Sequence, residues 1–240
     1  MGQPETDYIA FVCAMPMELE PLTRKLGLRE ETIGGVEVQT GEVHGRRAVG
    51  IVTGMGPALA TEGAGRLLDA VSVRWVLVVG ITGAVDNDTP IGMLVLPEVV
   101  VDGATGAEFR PAPIGTAVPS GKMWTTGVLL TDPEVVGGLG RQGVVSLDME
   151  TAAVAALCER RGVPWSVFRV VSDRASDGSI DEEVFRLSNM DGSPNNEAIE
   201  RFFAEHPERL EVMAKLAEGA TLGAERAADA AIEACSVLPG

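Results

Sequence analysis

The chain has few of the residues that build metal sites and disulfide frameworks. Its 240 residues include 3 cysteines and 2 histidines. The cysteines, at positions 13, 158 and 235, are too few and too widely spaced for a disulfide scaffold or a zinc site. His44 and His206 lie in segments expected at the surface. We therefore expect a protein that uses no metal or other cofactor and works in a reducing compartment, the cytoplasm.

Basic residues and long apolar segments are also scarce. Lys and Arg number 19 against 35 Asp and Glu, giving a formal charge of −16. This charge repels phosphate backbones and argues against nucleic acid as a partner. No apolar run approaches the roughly 20 residues of a spanning helix, and residues 1–5 lack the basic start of a signal peptide. We expect no membrane span, and a small neutral or cationic molecule as the partner.

Apolar runs alternate with helical segments along most of the chain. Tyr8–Cys13, residues 75–79 and residues 165–171 have the composition of buried strands. This interleaving predicts one α/β domain over residues 1–240, with three layers around a central mixed, largely parallel sheet. A helical C-terminal extension is expected from about residue 178. Further predictions are a hairpin formed by Val36–Val43 and residues 46–53, strands at 93–101 and 127–130, an irregular segment at 102–126, and a helix at 146–161.

Two glycine turns precede or follow predicted buried elements. Gly54-Met55-Gly56 leads into a helix, but Leu59 occupies the third glycine position of a dinucleotide fingerprint. We therefore expect a tight turn that lets the backbone approach a small ligand, with plain turn chemistry as the alternative. The second turn, Gly80-Ile81-Thr82-Gly83, offers backbone N–H groups and a hydroxyl at the end of a strand.

Three acids flank predicted buried elements, where solubility does not require them. Glu18 and Glu150 lie near helix starts, and Asp173 ends a strand. Such acids converge on the crevice where open α/β sheets bind small molecules, although a lone acid there is more often a helix cap. Acids in one crevice repel one another, so that one holds a proton while another stays ionised. That pairing suits cleavage of a glycosidic bond.

The order and spacing of these motifs resemble the nucleoside phosphorylase and nucleosidase superfamily, and most of all its 5′-methylthioadenosine/S-adenosylhomocysteine nucleosidases. The similarity covers about residues 7–101 and 127–177. It implies a hydrolase that releases adenine from a 5′-modified adenosine and works as a homodimer. Residues 102–126, the lack of an aromatic residue at 131–136 and the longer tail depart from the family. The matching motifs are Ala14-Met15 with Glu18, Gly54-Met55-Gly56, the Gly80 to Gly83 turn, Asp148-Met149-Glu150-Thr151 and Ser172-Asp173.

The resemblance also implies a role for each site residue. Asp173 would protonate the purine at N7, Glu150 would bind the ribose hydroxyls, and Glu18 would activate the attacking water. Ser172 would support Asp173, and Arg169 would lie just behind the site. Five residues would bind the substrate: Met149 against the sugar, Met15 and Met55 around the ribose and 5′-substituent, and Thr82 and Gly83 in the second turn. For the methionines, ordinary core packing is the alternative.

Three other functions stay open at this point. A phosphorylase would hold phosphate with the Gly80 to Gly83 turn and one of Arg46, Arg47 or Arg174, and Glu18 would then be structural. The tail sequence from Asp191 to Asn195 resembles a branch that includes hopanoid-associated nucleosidases, which act on larger 5′-substituted adenosines. A nucleoside-binding protein without turnover is the third. We favour hydrolysis because Glu18 stands where a phosphorylase is expected to need an arginine.

Overall fold

A mixed sheet of eleven strands forms the centre of the molecule. The structure, a computed structural model, describes residues 7–115 and 118–239. The strands are β1 (Tyr8–Cys13), β2 (Arg29–Ile33), β3 (Val36–Val43), β4 (Arg46–Val52), β5 (Val73–Ala84), β6 (Leu94–Val95), β7 (Val99–Asp102), β8 (Glu108–Phe109), β9 (Lys122–Thr125), β10 (Val144–Asp148) and β11 (Trp165–Arg174). The helices are α1 (Pro16–Leu26), α2 (Pro57–Ala70), α3 (Pro133–Gly140), α4 (Thr151–Arg161), α5 (Glu182–Phe185), α6 (Asn196–Glu205) and α7 (Leu210–Cys235), with a 3₁₀ turn at Pro207–Arg209.

The central strands of the sheet are parallel. β1 pairs in parallel with β4 on one side and β5 on the other, and β5 pairs in parallel with β11. The end of β5 also pairs with β10, in the antiparallel sense, so that Leu147 lies opposite Gly83. The strand path is β2-β3-β4-β1-β5-β10-β9-β7-β8. The ends of β1, β5, β10 and β11 therefore meet at one place, as the predicted α/β architecture requires.

The alternating side chains of β1 divide the core into two layers. Ala10 and Val12 pack with α2 and α4, whereas Ile9 and Phe11 pack with α1 and α7 on the opposite face. A strand buried on both faces needs an unbroken apolar sequence because successive side chains point to opposite sides. This packing confirms the predicted arrangement of a sheet between two helical layers.

Helix α7 approaches the sheet closely through small residues. Its buried positions are Gly219, Gly223, Ala224, Ala227, Ala228, Ala231 and Cys235. A side chain at position 219 would collide with the carbonyl oxygen of Ser172, and one at position 223 would meet Ile81 at 2.9 Å. The long helix thus packs across β11 and β5 directly behind the strand ends. Treating the segment after residue 178 as an extension of a single domain stays a prediction.

Several predicted boundaries differ from those observed. β5 does not turn at Gly80 but continues to Ala84, and the predicted helix at 146–161 is β10 followed by α4. The predicted strand at 93–101 is divided into β6 and β7 around Pro97, which cannot donate to a ladder. No strand forms at 127–130, and the segment 102–126 carries β8 and β9.

The described helices do not have the character of membrane spans. Within residues 7–115 and 118–239, none combines the length and apolar character needed to cross a bilayer. Residues 1–5, on which the signal-peptide argument rests, lie outside the described residues.

Candidate active site

A cavity of about 130 Å³ lies where β1, β5, β10 and β11 end. The structure brings all nine of the predicted site residues to its wall. Ala14, Ile81, Leu147, Asp148 and Arg169 complete the lining. The nine are Met15, Glu18, Met55, Thr82, Gly83, Met149, Glu150, Ser172 and Asp173.

Glu18 is fully buried at the start of α1 and caps that helix. Its Oε2 accepts the backbone N–H groups of Ala14 at 2.8 Å and Met15 at 3.0 Å. Its Oε1 accepts the N–H of Ile81 at 2.8 Å and Arg169 Nη1 at 3.1 Å. The close approach to β5 requires glycine at position 80, where a side chain would collide with the Glu18 carboxylate. Glu18 therefore both caps α1 and lines the site.

Arg169 joins three carboxylates at the centre of the site. Its Nη1 donates to Glu18, and its Nη2 donates to Asp148 Oδ2 at 3.0 Å and Glu150 Oε2 at 3.1 Å. Its side chain is 2% exposed. We call Glu18, Asp148, Glu150 and Arg169 the carboxylate–arginine cluster. Three acids around one guanidinium leave an excess of negative charge when all are ionised, so the cluster favours a cationic neighbour.

Glu150 keeps part of its hydrogen-bonding capacity. Among the described residues, its Oε1 accepts one bond, from Gly56 N at 2.8 Å, and its Oε2 accepts one, from Arg169. A carboxylate has about four lone-pair sites, so each oxygen retains one toward the cavity. Burial raises the pKa of Glu150 to about 7; Arg169 opposes this shift, and the charges of Asp148 and Glu18 add to it.

A bulge in β11 aims Asp173 into the cavity. The pairing with β5 skips Ser172, since Val171 lies opposite Thr82 and Asp173 opposite Gly83. Neighbouring side chains of a regular strand point to opposite faces, but a bulge redirects them. Ser172 and Asp173 therefore both line the cavity, and the Ser172 hydroxyl donates to Asp173 Oδ1 at 2.5 Å.

The environment of Asp173 favours its protonated form. Burial raises the pKa of Asp173, and the hydrogen bond from Ser172 lowers it, while the charge of Asp177 raises it further. Gly83 leaves room for the carboxyl group, because a side chain there would come within 3.0 Å of Asp173 Oδ2. The neighbouring Thr82 hydroxyl donates to Leu147 O at 2.7 Å and thereby fixes the strands.

The first glycine turn uses its backbone donors on the protein itself. Gly54 N donates to Ala14 O at 3.0 Å and Met55 N to Met190 O at 2.7 Å. Gly56 N donates to Glu150. With these three groups engaged, the turn does not present the N–H cradle that binds a phosphate group. We predicted that the backbone of this turn approaches a ligand. In the structure its backbone reaches the site through the bond from Gly56 N to Glu150.

A second apolar cavity adjoins the first on the Asp173 side. It also measures about 130 Å³ and shares Gly83, Leu147, Asp148, Met149 and Asp173 with the first cavity. Its remaining wall is largely aliphatic: Thr126, Val128, Leu129, Leu130, Thr131, Ala175 and Ile180. The sequence analysis noted that residues 131–136 lack an aromatic; the structure shows that aliphatic residues from the preceding segment form this wall.

The arginines proposed for a phosphate site lie elsewhere. Arg46 donates to Leu238 O at 2.9 Å, and Arg47 stacks on Tyr8 at the other end of β1. Arg174 donates to Thr89 O at 3.2 Å. None of the three lines the cavity, where Arg169 is the one cationic residue among those described. Outside the cavity, Glu183, Glu205 and His206 form the described group close enough to hold a metal ion, and no described group of that kind lines the site.

Comparisons with known proteins agree with the fold. The 5′-methylthioadenosine/S-adenosylhomocysteine nucleosidase of Halalkalibacterium halodurans is 27% identical over 197 residues, covering 70% of this chain and 85% of that protein. The Helicobacter pylori nucleosidase of the same name superposes with a TM-score of 0.74 at 17% identity, covering 97% of this chain and 99% of that one. Helicobacter pylori futalosine hydrolase gives 0.75 at 16%, covering 98% and 100%.

The family assignment follows from a match along most of the chain. The model of the phosphorylase superfamily matches residues 8–119 and 112–204, which include every residue of the carboxylate–arginine cluster and Asp173. This agrees with the resemblance drawn from the motifs. The chain belongs to the phosphorylase superfamily.

Proposed function

We propose that this protein is a nucleosidase that hydrolyses the N-glycosidic bond of a 5′-modified adenosine, of the methylthioadenosine or S-adenosylhomocysteine type. The observation that carries the proposal is the convergence of Glu18, Glu150 and Asp173 in one cavity whose single described cation is already bonded to three acids. The named relatives are nucleosidases for these compounds and support the same assignment.

Asp173 is the general acid of the proposed reaction. Its raised pKa allows it to hold a proton, which it gives to N7 of the purine as the bond between N9 and C1′ breaks. Adenine then leaves as a neutral base. The aliphatic cavity beside Asp173 offers an apolar surface against which the base can pack.

Glu150 and the net charge of the cluster act on the sugar. The lone pairs of Glu150 that face the cavity accept hydrogen bonds from the ribose hydroxyls. Positive charge spreads through the ring as the glycosidic bond breaks, and the nearby carboxylates stabilise that charge in a site of low dielectric.

Glu18 is the base that takes a proton from the attacking water, whose oxygen bonds to C1′. Its four donors occupy all of its lone-pair sites, so water must replace one of them. Arg169 is the donor that gives way, because its contact is the longest of the four and the guanidinium has two other carboxylates to bind.

Hydrolysis is favoured over phosphorolysis by the charge and the donors of the site. A phosphate anion would meet the excess carboxylates of the cluster, and the N–H groups of Ile81, Met55 and Gly56 are already engaged. The one described arginine in the wall is shared by three acids. A site of this kind binds water more readily than an anion.

Base release from methylthioadenosine in phosphate-free buffer tests the proposal. We expect adenine and the free 5-methylthioribose in equal amounts, with no change in rate on adding phosphate. Strict dependence on phosphate, with a ribose 1-phosphate product, would assign phosphorolysis instead. Tight binding of an adenosine analogue without base release over a day would indicate a binding protein.

We also propose that the protein works as a homodimer in the cytoplasm. Apolar side chains beside the second cavity support the dimer, since Val128 is 63% exposed and would be covered by a partner. The free thiols of Cys13, Cys158 and Cys235 fit a reducing compartment. Light scattering on the purified protein tests the dimer, and a mass of about 25 kDa would contradict it.

A further inference from the structure

Asp148 lines the site, but its side chain is 2% exposed and its carboxylate is held by four donors. Its Oδ1 accepts the Thr125 hydroxyl at 2.6 Å. Its Oδ2 accepts Thr151 N at 2.9 Å, the Thr151 hydroxyl, and Arg169 Nη2 at 3.0 Å. Oδ2 is saturated, and Oδ1 is bonded to Thr125 in a side chain that leaves almost no surface for a substrate. Any effect of Asp148 on the reaction must therefore pass through the groups that it holds.

Those groups determine where Glu150 points. Thr151 is the first residue of α4 and directly follows Glu150, so the bonds from Thr151 to Asp148 fix the backbone that carries Glu150. Asp148 also shares one nitrogen of Arg169 with Glu150, since Nη2 lies 3.0 Å from the first carboxylate and 3.1 Å from the second. A nitrogen divided between two acids holds each of them less firmly than it would hold one.

We propose that Asp148 is a positioning residue: it fixes the start of α4 and takes part of the Arg169 charge, so that the Glu150 carboxylate faces the ribose hydroxyls with free lone pairs. This inference rests on the proposed role of Glu150. It assigns a function to the first acid of the Asp148-Met149-Glu150 motif, for which the sequence analysis gave none.

The charges around Glu150 make this role measurable. Arg169 on β11, Asp148 on β10 and Glu18 on α1 act on it, and the first opposes the other two. Loss of the Asp148 charge leaves Arg169 to act more strongly on Glu150. Glu150 then ionises at lower pH, and the acidic side of the profile of kcat/KM against pH moves with it.

Asp148→Asn removes the charge with the smallest change of shape. Its amide oxygen, placed where Oδ2 lies, faces the Thr151 and Arg169 donors, and its NH₂ group faces Thr125 Oγ1, whose hydroxyl hydrogen loses its acceptor. With methylthioadenosine as substrate, we expect the acidic limb to shift down by about 0.5 to 1 pH unit. Thr125→Val is the matched control: it removes the bond to Asp148 Oδ1 and the acceptor of Ala152 N but keeps the Asp148 charge, so the limb stays in place.

Two further measurements complete the test. Glu150→Gln should lack the inflection that moves in Asp148→Asn, which assigns that inflection to Glu150 and not to the base Glu18. Carbon-13 NMR of the glutamate carboxyls should show Glu150 titrating at lower pH in Asp148→Asn than in the wild type, whether or not adenine is released. If the wild type releases no adenine, the proposed function fails while the NMR titration still tests Asp148.

An unchanged Glu150 titration in folded Asp148→Asn would overturn the proposal, and so would an equal shift in Thr125→Val. If Asp148→Asn does not fold, Asp148→Ser is the second variant that removes the charge, and the same shift is expected. If neither folds, Asp148 serves the fold and not the position of Glu150, and the proposal is wrong.

Discussion

The two halves of the cavity hold their carboxylates by different means. In the carboxylate–arginine cluster, Glu18 and Asp148 each accept four hydrogen bonds, and buried Arg169 balances part of their charge. On the other side, the described residues give Asp173 one side-chain hydrogen bond, from Ser172, and burial dominates its pKa. Burial raises the pKa of Asp173, whereas Glu18 and Asp148 are held by hydrogen-bond donors and by the charge of Arg169. One cavity can thereby contain both a base and an acid.

The largest effect should come from removing the protonated acid. Asp173→Asn keeps the shape of the side chain but has no proton to give, so we expect kcat to fall by about 10² to 10⁴ while a nucleoside still binds. Asp177→Asn is the matched control, because it removes a nearby acid that lies outside the cavity and should leave kcat within about twofold. Steady-state kinetics and calorimetric binding measure both. An active Asp173→Asn variant would show that Asp173 is not the general acid.

The second-largest effect should come from disturbing the backbone of the β11 bulge that carries Asp173. Gly219→Ala places a methyl group against the carbonyl oxygen of Ser172, at the bulge that aims Asp173. We expect kcat/KM to fall at least about tenfold and the free energy of unfolding to fall by about 1–3 kcal/mol. Gly65→Ala in α2 is the control, since its nearest neighbour is Leu157 Cδ2 at 4.0 Å. Full activity in Gly219→Ala would mean that the bulge does not depend on α7.

Base selectivity gives a third comparison. A protonated Asp173 can give its proton to N7 and, once ionised, accept from the 6-amino group of adenine, whereas a 6-oxo purine offers no such donor. The wrong base leaves buried partners unpaired. We expect adenosine compounds to exceed inosine by at least about tenfold in kcat/KM, roughly 1.4 kcal/mol. Equal rates on inosine would contradict the role given to Asp173.

The smallest effect concerns stability against pH. The pKa of Glu150 is about 7 in the folded protein and 4.5 ordinarily, so between these values the folded state keeps a proton that the unfolded chain has lost. The free energy of unfolding therefore decreases as pH rises through this window. We expect the Tm of the wild type to fall more than that of Glu150→Gln between pH 5 and 8, by roughly 2–4 °C per kcal/mol. Parallel Tm curves would contradict this.

The sequence predicted the site better than the connections around it. β1 and the start of β5 are unbroken apolar runs, and acids beside such runs are easily noticed. Glu18, Glu150 and Asp173 could therefore be assigned to one site before the fold was known. By contrast, β2 has four exposed residues out of five and pairs only with β3 among the described strands, so it lacks the apolar alternation that identifies a strand. β10 is five residues long and runs directly into the apolar pattern of α4, which merged the two into one predicted helix.

Arg169 shows what sequence reasoning could not provide. A cation within the apolar run 165–171 is a visible signal of a buried partner, because unpaired charges are rarely buried. Its partners, however, lie 151, 21 and 19 positions away along the chain. Only the pairing of β5 with β1, β10 and β11 identifies them, and this pairing depends on contacts that no local pattern encodes.

The glycine turn at residues 54–56 also links three segments that are distant in the sequence. One of its N–H groups is bonded to the Ala14 carbonyl at the end of β1, one to the Met190 carbonyl in the loop after α5, and one to Glu150. Gly192 of the same loop packs against Met15, so the loop contacts two of the three methionines of the cavity wall, Met15 and Met55. Lifting this loop breaks a bond to the very turn that steadies Glu150. A displacement of this loop would therefore reach Glu150 through the turn.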